Sequence, residues 1–276
     1  MPTLPPERSG DPGSASHHHR RVAESFGSDA ARYDRARPGY PRALVERIAA
    51  AAPGPDVLDV GCGTGIAARL FAAAGCRVLG VDIDARMAER ARAHGLAVEV
   101  AAFESWDPAG RTFDAVVSGQ SWHWVDPVAG AAAAARALRP GGVLTLFWNA
   151  GRPPDELAAA FAEVYRRVLP GSLAARRSAA DAPDGYAALC DTAAGGIRRT
   201  AGLTAPGRWH HDWQRAYTRD EWLDQLPTQG AFTRLPEPRL TEALSGVGAA
   251  IDAVGGAFTM RYTTTAVVST RDGTTV

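Results

Sequence analysis

The sequence predicts an α/β fold whose mostly parallel sheet is covered by helices on both faces. Three observations carry that reading. Apolar runs of strand length alternate with helix-like stretches from residue 56 to residue 149, which is the rhythm of βαβ units. A glycine turn, GCGTG at 61–65, follows the first of those runs. Late in the chain, FTMRYTTTAVVST (258–270) is rich in β-branched residues and alternates in polarity, so it reads as a strand completing the same sheet.

The elements follow in order. Val22 to Tyr33 reads as a short helix or lid, and ARPGYP (36–41) turns the chain. Pro41 suits the first turn of a helix, and RALVERIAAAA carries apolar residues at helical spacing until APGP (52–55) ends it. DVLDV (56–60) is the first buried strand, and IAARLFAAAG is a helix closed by Gly75. RVLGVDI (77–83) is the second strand, DARMAERARAHG (84–95) a helix, and LAVEVAAF (96–103) and FDAVVSG (113–119) are strands. Residues 127–142 read as helix then turn, and VLTLFWN (143–149) is the fifth strand. Beyond it, 154–169 is helical and 170–205 has little periodicity, which suits either a cover or a mobile stretch. A strand at 208–218 and helices at 220–226 and 238–256 precede the last strand.

The organisation expected is a disordered tail over 1–21, rich in Pro, Ser and Gly, and one domain over 22–276 with a variable helical cap inserted at about 150–207. The tail has no apolar segment of the kind a signal peptide or membrane span requires, and its triple histidine at 17–19 reads as part of a floppy end. With 276 residues and 46% hydrophobic content, the chain can bury a sizeable core. Thirty basic and thirty acidic side chains cancel, so no net field favours nucleic acid or an anionic membrane. Cys62, Cys76 and Cys190 are odd in number and form no CxxC pair. A disulfide framework or structural zinc is therefore not expected, and a reducing, cytoplasmic setting is.

The glycine spacing bears on the ligand. A dinucleotide turn prefers GxGxxG, with its third glycine three residues after the second. Here the third comes two residues after the second, and Ile66 stands where the dinucleotide glycine would be. The GK[ST] of a triphosphate loop is absent. Asp59, inside the turn's reach, would repel a phosphate and accept a hydrogen bond from an ammonium, or cap the amides that follow. Asp82 ends the second strand, where two carboxylate oxygens can clasp a ribose diol. Asp84 is the better helix cap, leaving Asp82 for that role.

DVGCGTG followed by VDID resembles the class I S-adenosylmethionine-dependent methyltransferases, in particular the small-molecule branch of ubiquinone/menaquinone-biosynthesis-like and trans-aconitate-like enzymes. The resemblance is strong over about 22–149, weaker over 208–269 and poor over 150–205. It implies a Rossmann-like three-layer sandwich with a seven-stranded sheet, the last strand antiparallel. It further implies that S-adenosylmethionine lies across the carboxyl ends of the first strands and leaves as S-adenosylhomocysteine. Asp59 would then lie near the methionine ammonium, Gly61 and Gly63 close under the donor, and Gly65 in the turn. Asp82 would hold the ribose and Ile83 would cover the adenine. Phe103 fills a position that is usually small, so its backbone rather than its side chain would meet the adenine, and Glu104 would face the adenine amino group or solvent. Backbone from Ser118–Gly119–Gln120 would hold the methionine part.

The acceptor side reads less sharply. Trp122, His123 and Trp124 follow a strand end. His123, with an ordinary pKa near operating pH, is the candidate base or orienting group, and the tryptophans are candidate substrate walls. Family members fold their N-terminal segment over the donor, so Tyr33 would close on its methionine end, and Arg32 or Arg37 would engage a carboxylate. Adjacent His210 and His211 face opposite ways in a strand and make no zinc pair, and no metal site is expected. The leading reading is methyl transfer to the oxygen, nitrogen or carbon of a small, possibly ring-bearing acceptor. The alternatives are methylation of a small acid's carboxylate, and a non-catalytic module that binds the donor. The NPPY-like run of base-flipping relatives is absent, which argues against nucleic acid. Monomer and homodimer remain equally open.

Overall fold

Seven strands form one sheet in the order β3-β2-β1-β4-β5-β7-β6. The computed structural model describes residues 24–170 and 186–273. The expected disordered tail (1–21), its histidines, and the 171–185 part of the cap lie outside the described residues. The strands are β1 (Asp56–Val60), β2 (Arg77–Asp82), β3 (Ala97–Val100), β4 (Phe113–Gly119), β5 (Leu138–Arg152), β6 (Gly207–Thr218) and β7 (Ala257–Thr270). β1 pairs in parallel with β2 and β4, β2 with β3, and β4 with β5. The last strands run antiparallel, so the sheet is mixed but mostly parallel, as expected of a Rossmann-like α/β fold. The registers Val60↔Val81, Asp82↔Val100 and Gly119↔Phe147 bring the carboxyl ends of the parallel strands to one edge. That edge is where open α/β sheets bind ligands.

The helices are α1 (Ala30–Ala36), α2 (Arg42–Ala51), α3 (Ile66–Ala73), α4 (Ala85–Ala93), α5 (Pro127–Ala137), α6 (Asp155–Val168), α7 (Ala187–Arg198), α8 (Arg219–Gln225) and α9 (Glu237–Ala253). Several start on readable caps. Asp84 accepts from the Arg86 amide at α4, and Asp126 accepts from Val128 and Ala129 at α5, with Pro127 in the first turn. Thr218 and Glu221 close a reciprocal capping box at α8.

The chain divides into two compact units. The first comprises Met1–Arg37, Ala150–Gly185 and Asp212–Thr263, and the second Pro38–Asn149, Tyr186–His211 and Thr264–Val276. The core of the first is aromatic: Phe161 and Tyr165 of α6 pack with Tyr217, Trp222, Phe232 and Phe258. The core of the second is aliphatic, with Leu44, Val45 and Ile48 of α2 packed against Val57, Phe71, Val117 and Phe147. Among the described residues no helix is long and apolar enough to cross a membrane.

Three local readings change. β3 stops at Val100, and Phe103–Ser105 form a 3-10 turn instead of continuing the strand. β5 begins at Leu138 and carries Pro140, Gly141 and Gly142 inside it, with Gly141 at φ 77°. Its entrance is tied down by Arg139, which pairs with Asp114 at 2.7 Å and Asp56 at 2.9 Å. Finally, α7 occupies part of the stretch that lacks periodicity. Its buried face is Cys190, Ala193, Ala194, Gly196 and Ile197, small except for the last, and a Cβ on Gly196 would come within 2.1 Å of the Pro127 carbonyl oxygen of α5. Close backbone approach at mostly small residues packs this helix, so its apolar spacing is a weak signal in sequence.

Candidate functional site

The loop between β1 and α3 belongs to the second unit and is built on three left-handed glycines. Gly61, Gly63 and Gly65 have φ of 64°, 56° and 86°, a region that costs any other residue strain. Two of them are also sterically obligatory. A Cβ on Gly61 would lie 2.6 Å from the Ser121 side chain, and one on Gly65 would lie 2.3 Å from Leu96 Cδ1. Gly63 differs, because a Cβ there would meet only Met87 Cε, at 3.5 Å. Its freedom serves the backbone turn and leaves that side of the loop approachable.

Two carboxyl groups sit under this loop. Asp59 is 1% exposed, and its Oδ2 has no hydrogen-bond partner. Burial, reinforced by the neighbouring Asp82 charge and opposed by a backbone hydrogen bond from Ala68, pushes its pKa up to about 8. Asp82 is also buried, and burial raises its pKa. Its Oδ2 accepts the Gly63 amide at 2.7 Å and its Oδ1 accepts the Asp84 amide at 2.9 Å. This corrects one inference. Asp84 does cap α4, but Asp82 is not left free, since it ties the glycine loop to the loop after β2. Each of its oxygens retains a second lone pair for a ligand hydroxyl. Ile83, the next residue, is 36% exposed, and Val100, opposite Asp82, is 45% exposed. They are the exposed large apolar side chains among the described residues, and both stand at this strand edge.

The loop after β4 completes the edge. Ser118 and Ser121 both donate to the Val60 carbonyl at 2.9 Å, which clamps this loop to the end of β1. Gly119 has no room for a side chain, because a Cβ would lie 2.7 Å from both the Tyr40 hydroxyl and Phe147 Cε2. Gln120 is left-handed at φ 60° without being glycine, the kind of backbone strain that collects at functional positions. Its Nε2 points to the Tyr186 hydroxyl and the Asn149 carbonyl at 3.4 and 3.5 Å, while its Oε1 is buried and unpaired.

Trp122 and His123 are buried in a 3-10 turn, and Trp124 is half-buried against His123 with ring centroids 4.5 Å apart. Trp148 Nε1 donates to His123 Nδ1 at 3.4 Å. With Nδ1 accepting, the ring proton sits on Nε2, which is buried without a partner. Burial drives the His123 pKa down to about 3. In the ligand-free chain His123 is thus a neutral imidazole whose Nδ1 accepts from Trp148 and whose Nε2–H is unmet. Phe103 is buried among Trp106 and Trp122, both 6.1 Å from its ring. Glu104 Oε1 accepts the Asp126 amide at 3.0 Å and so steadies the cap of α5.

Tyr33 and Arg37 belong to the first unit. The Arg37 guanidinium is buried and lies 5.2 Å from the Tyr33 ring centroid. Arg32 is paired with Asp224 at 3.0 Å, and Arg35 shares the same carboxylate. In the second unit, His210 Nδ1 pairs with Thr265 Oγ1 at 3.2 Å. No group of three or more His, Cys, Asp or Glu side chains among the described residues has metal-holding geometry.

Comparison with known proteins follows the glycine loop and its strand edge. Residues 33–153 match the family model of the methyltransferase domain. An uncharacterized methyltransferase of Mycobacterium tuberculosis is 38% identical over 138 residues, covering 47% of this chain and 54% of the relative. A ubiquinone biosynthesis O-methyltransferase of Hahella chejuensis is 35% identical over 131 residues, covering 44% and 55%. The chain thus spans about half the length of the curated relatives it matches. A putative type II methyltransferase from Anaeromyxobacter dehalogenans is structurally similar, with a TM-score of 0.59 and 26% identity over 86% of this chain and 97% of that one.

Within residues 33–153, Asp59, Thr64, Gln120, Trp122, His123 and Thr145 each bury a polar atom that has no partner. The sequence nominates Asp59, Trp122 and His123, and Gln120 for its backbone only; it does not nominate Thr64 or Thr145. Gln120 had a signal of sorts, as the polar residue between a strand-ending glycine and the aromatic run. Thr64 had none beyond lying between two loop glycines.

Proposed function

We propose that this chain transfers a methyl group from S-adenosylmethionine to a small-molecule acceptor and releases S-adenosylhomocysteine. The observation that carries the reading is the fully buried, unpartnered Oδ2 of Asp59 beneath a loop of three left-handed glycines. Native structures rarely leave such an atom unmet, and an ammonium group is the partner that suits a carboxylate. The neighbouring residues fit the rest of the donor. Gly61 and Gly63 let it approach the backbone, the spare lone pairs of Asp82 suit the ribose hydroxyls, and exposed Ile83 suits the adenine face. Phe103 offers its backbone, and Gly119 with Gln120 lines the methionine side. When bound, the donor supplies an electrophilic methyl on a sulfonium centre.

The chain's own contribution is alignment and exclusion of water. His123 Nε2–H and Gln120 Oε1 form a buried donor and acceptor on one loop, which suits orientation of an acceptor molecule. The relative named as an O-methyltransferase supports oxygen as the acceptor atom. A carboxylate acceptor is the second reading, favoured by neutral His123, because a carboxylate needs no base. Three cysteines with no CxxC pair fit a cytoplasmic enzyme.

Isothermal titration of the full chain with S-adenosylhomocysteine tests the donor half, with micromolar binding expected. The acceptor half is tested by incubation with S-adenosylmethionine and a panel of phenols, amines, indoles and acids, read by mass for one added methylene. Absence of S-adenosylhomocysteine binding at millimolar concentration sinks the reading. Binding without turnover of any acceptor leaves the donor-binding module instead.

A further inference from the structure

Four side chains of the first unit bury polar atoms that nothing in the described residues meets. They are the Tyr165 hydroxyl, Trp222 Nε1, Gln225 Oε1, and both Oε1 and Nε2 of Gln229. All four residues are at least nine-tenths buried, with exposures of 0%, 1%, 2% and 1% respectively. They are not scattered. Gln225 follows Trp222 by three residues on α8, and Gln229 caps the 3-10 turn Leu226–Thr228 that extends this helix. Phe161 stacks on Trp222 at 6.1 Å and meets Tyr165 at 6.2 Å. Phe232, three residues after Gln229, is 5.3 Å from Tyr165. The ring contacts therefore join Trp222 on α8, and Phe232 after Gln229, to Tyr165 on α6.

A buried amide with neither end satisfied carries the desolvation penalty of both, and an apolar residue of the same size would avoid it. A glutamine in that state, with a second glutamine whose Oε1 is unmet, a phenol and an indole N–H in the same unit, marks a place for a further molecule. We propose that the first unit binds an uncharged aromatic molecule carrying both a hydrogen-bond donor and an acceptor, held by Gln225, Gln229, Tyr165 and Trp222. The chemistry selects the class. The four groups offer donors (indole N–H, amide N–H, phenol) and acceptors (two amide oxygens, phenol), so the ligand presents both. None of the four is charged, so an ionised ligand would lose its hydration without a counter-charge from them. The surrounding rings of Phe161, Phe232 and Phe258 favour an aromatic body. The inference does not depend on methyl transfer.

The test is titration of the full chain with 4-hydroxybenzamide, with indole, toluene and 4-hydroxybenzoate as comparison probes, followed by calorimetry and thermal melting. We expect saturable binding of 4-hydroxybenzamide, with toluene and 4-hydroxybenzoate at least about tenfold weaker. Gln229→Leu should raise the melting temperature of the ligand-free chain and weaken 4-hydroxybenzamide at least about tenfold, while S-adenosylhomocysteine affinity stays unchanged. Tyr165→Phe, which keeps the ring packing, should weaken the same probe and decides the matter if Gln229→Leu does not fold. Failure of 4-hydroxybenzamide to bind, or equal binding to wild type and Tyr165→Phe, overturns the proposal. So does a crystal structure in which ordered waters alone satisfy the four groups.

Discussion

Replacing Asp59 by asparagine should make the ligand-free protein more stable at neutral pH. The buried Asp59 carboxyl has its pKa raised to about 8 from 3.8, chiefly by burial and then by the Asp82 charge. Because the folded-state pKa lies above the unfolded one, the folded state keeps a proton that the unfolded chain releases. Stability is then greatest below about pH 4 as far as this group is concerned, and falls as pH rises toward 8. At ~1.4 kcal/mol per pH unit, the loss reaches about 4 kcal/mol at pH 7. Asparagine keeps the shape and the neutral state at every pH, so Asp59→Asn removes that loss. With about 2–4 °C per kcal/mol for a chain of this size, the variant should melt roughly 8–16 °C higher at pH 7, with no difference near pH 4. Differential scanning calorimetry from pH 4 to pH 9 reads this directly. A second readout is S-adenosylhomocysteine titration in two buffers of different ionisation enthalpy. Wild type should release a proton on binding at pH 7, as Asp59 ionises against an ammonium, and Asp59→Asn should release none. Melting curves of the two proteins that run parallel from pH 4.5 to pH 8 would refute the reasoning.

Three further outcomes are expected. Gly65→Ala should destabilise by about 2–3 kcal/mol in a urea titration, because it combines left-handed strain with a clash against Leu96; adding Leu96→Ala should recover the steric part only. The log of the turnover rate should show no His123 inflection between pH 5 and pH 8, since its folded-state pKa is about 3. His123→Gln, which keeps a donor, should retain more turnover than His123→Ala with donor affinity equal in both. An inflection near pH 6.5 that vanishes in His123→Gln restores the base assignment. Asp126→Ala, which removes the cap from two amides of α5, should cost about 1 kcal/mol by chemical denaturation, and an unchanged midpoint refutes the cap's contribution.

Much of the strand edge around the glycine loop is legible because its determinants are local. β1 and β4 have the bounds their apolar runs imply, and the glycine loop and the Asp84 cap depend on neighbours a few residues away. What escaped is what depends on distant partners. The Asp82 carboxylate is engaged by an amide 19 residues earlier in the chain, and His123 is neutral because burial and Trp148, 25 residues on, surround it. Helix α7 escaped for a different reason, since its packing signal is the absence of bulk at Gly196, which looks like a helix-weakening residue in sequence. The unmet amides of Gln225 and Gln229 were equally silent, as glutamine in a helix is ordinarily a solvated residue.

Asn149, at the inner end of β5, donates through Nδ2 to the Gly39 carbonyl and accepts through Oδ1 from Thr264 Oγ1, partners 110 and 115 residues away in opposite directions along the chain. During synthesis the first partner has left the ribosome long before Asn149, but the second emerges 115 residues later. At roughly 5–20 residues per second, that is a wait on the order of 6 to 23 seconds. For that interval the nascent chain has every strand from β1 to β5, yet the carboxamide that joins the start of the fold to its end has only one of its two contacts. The second unit therefore becomes complete only after Thr264 has been made, and until then the carboxamide of Asn149 lacks its later partner.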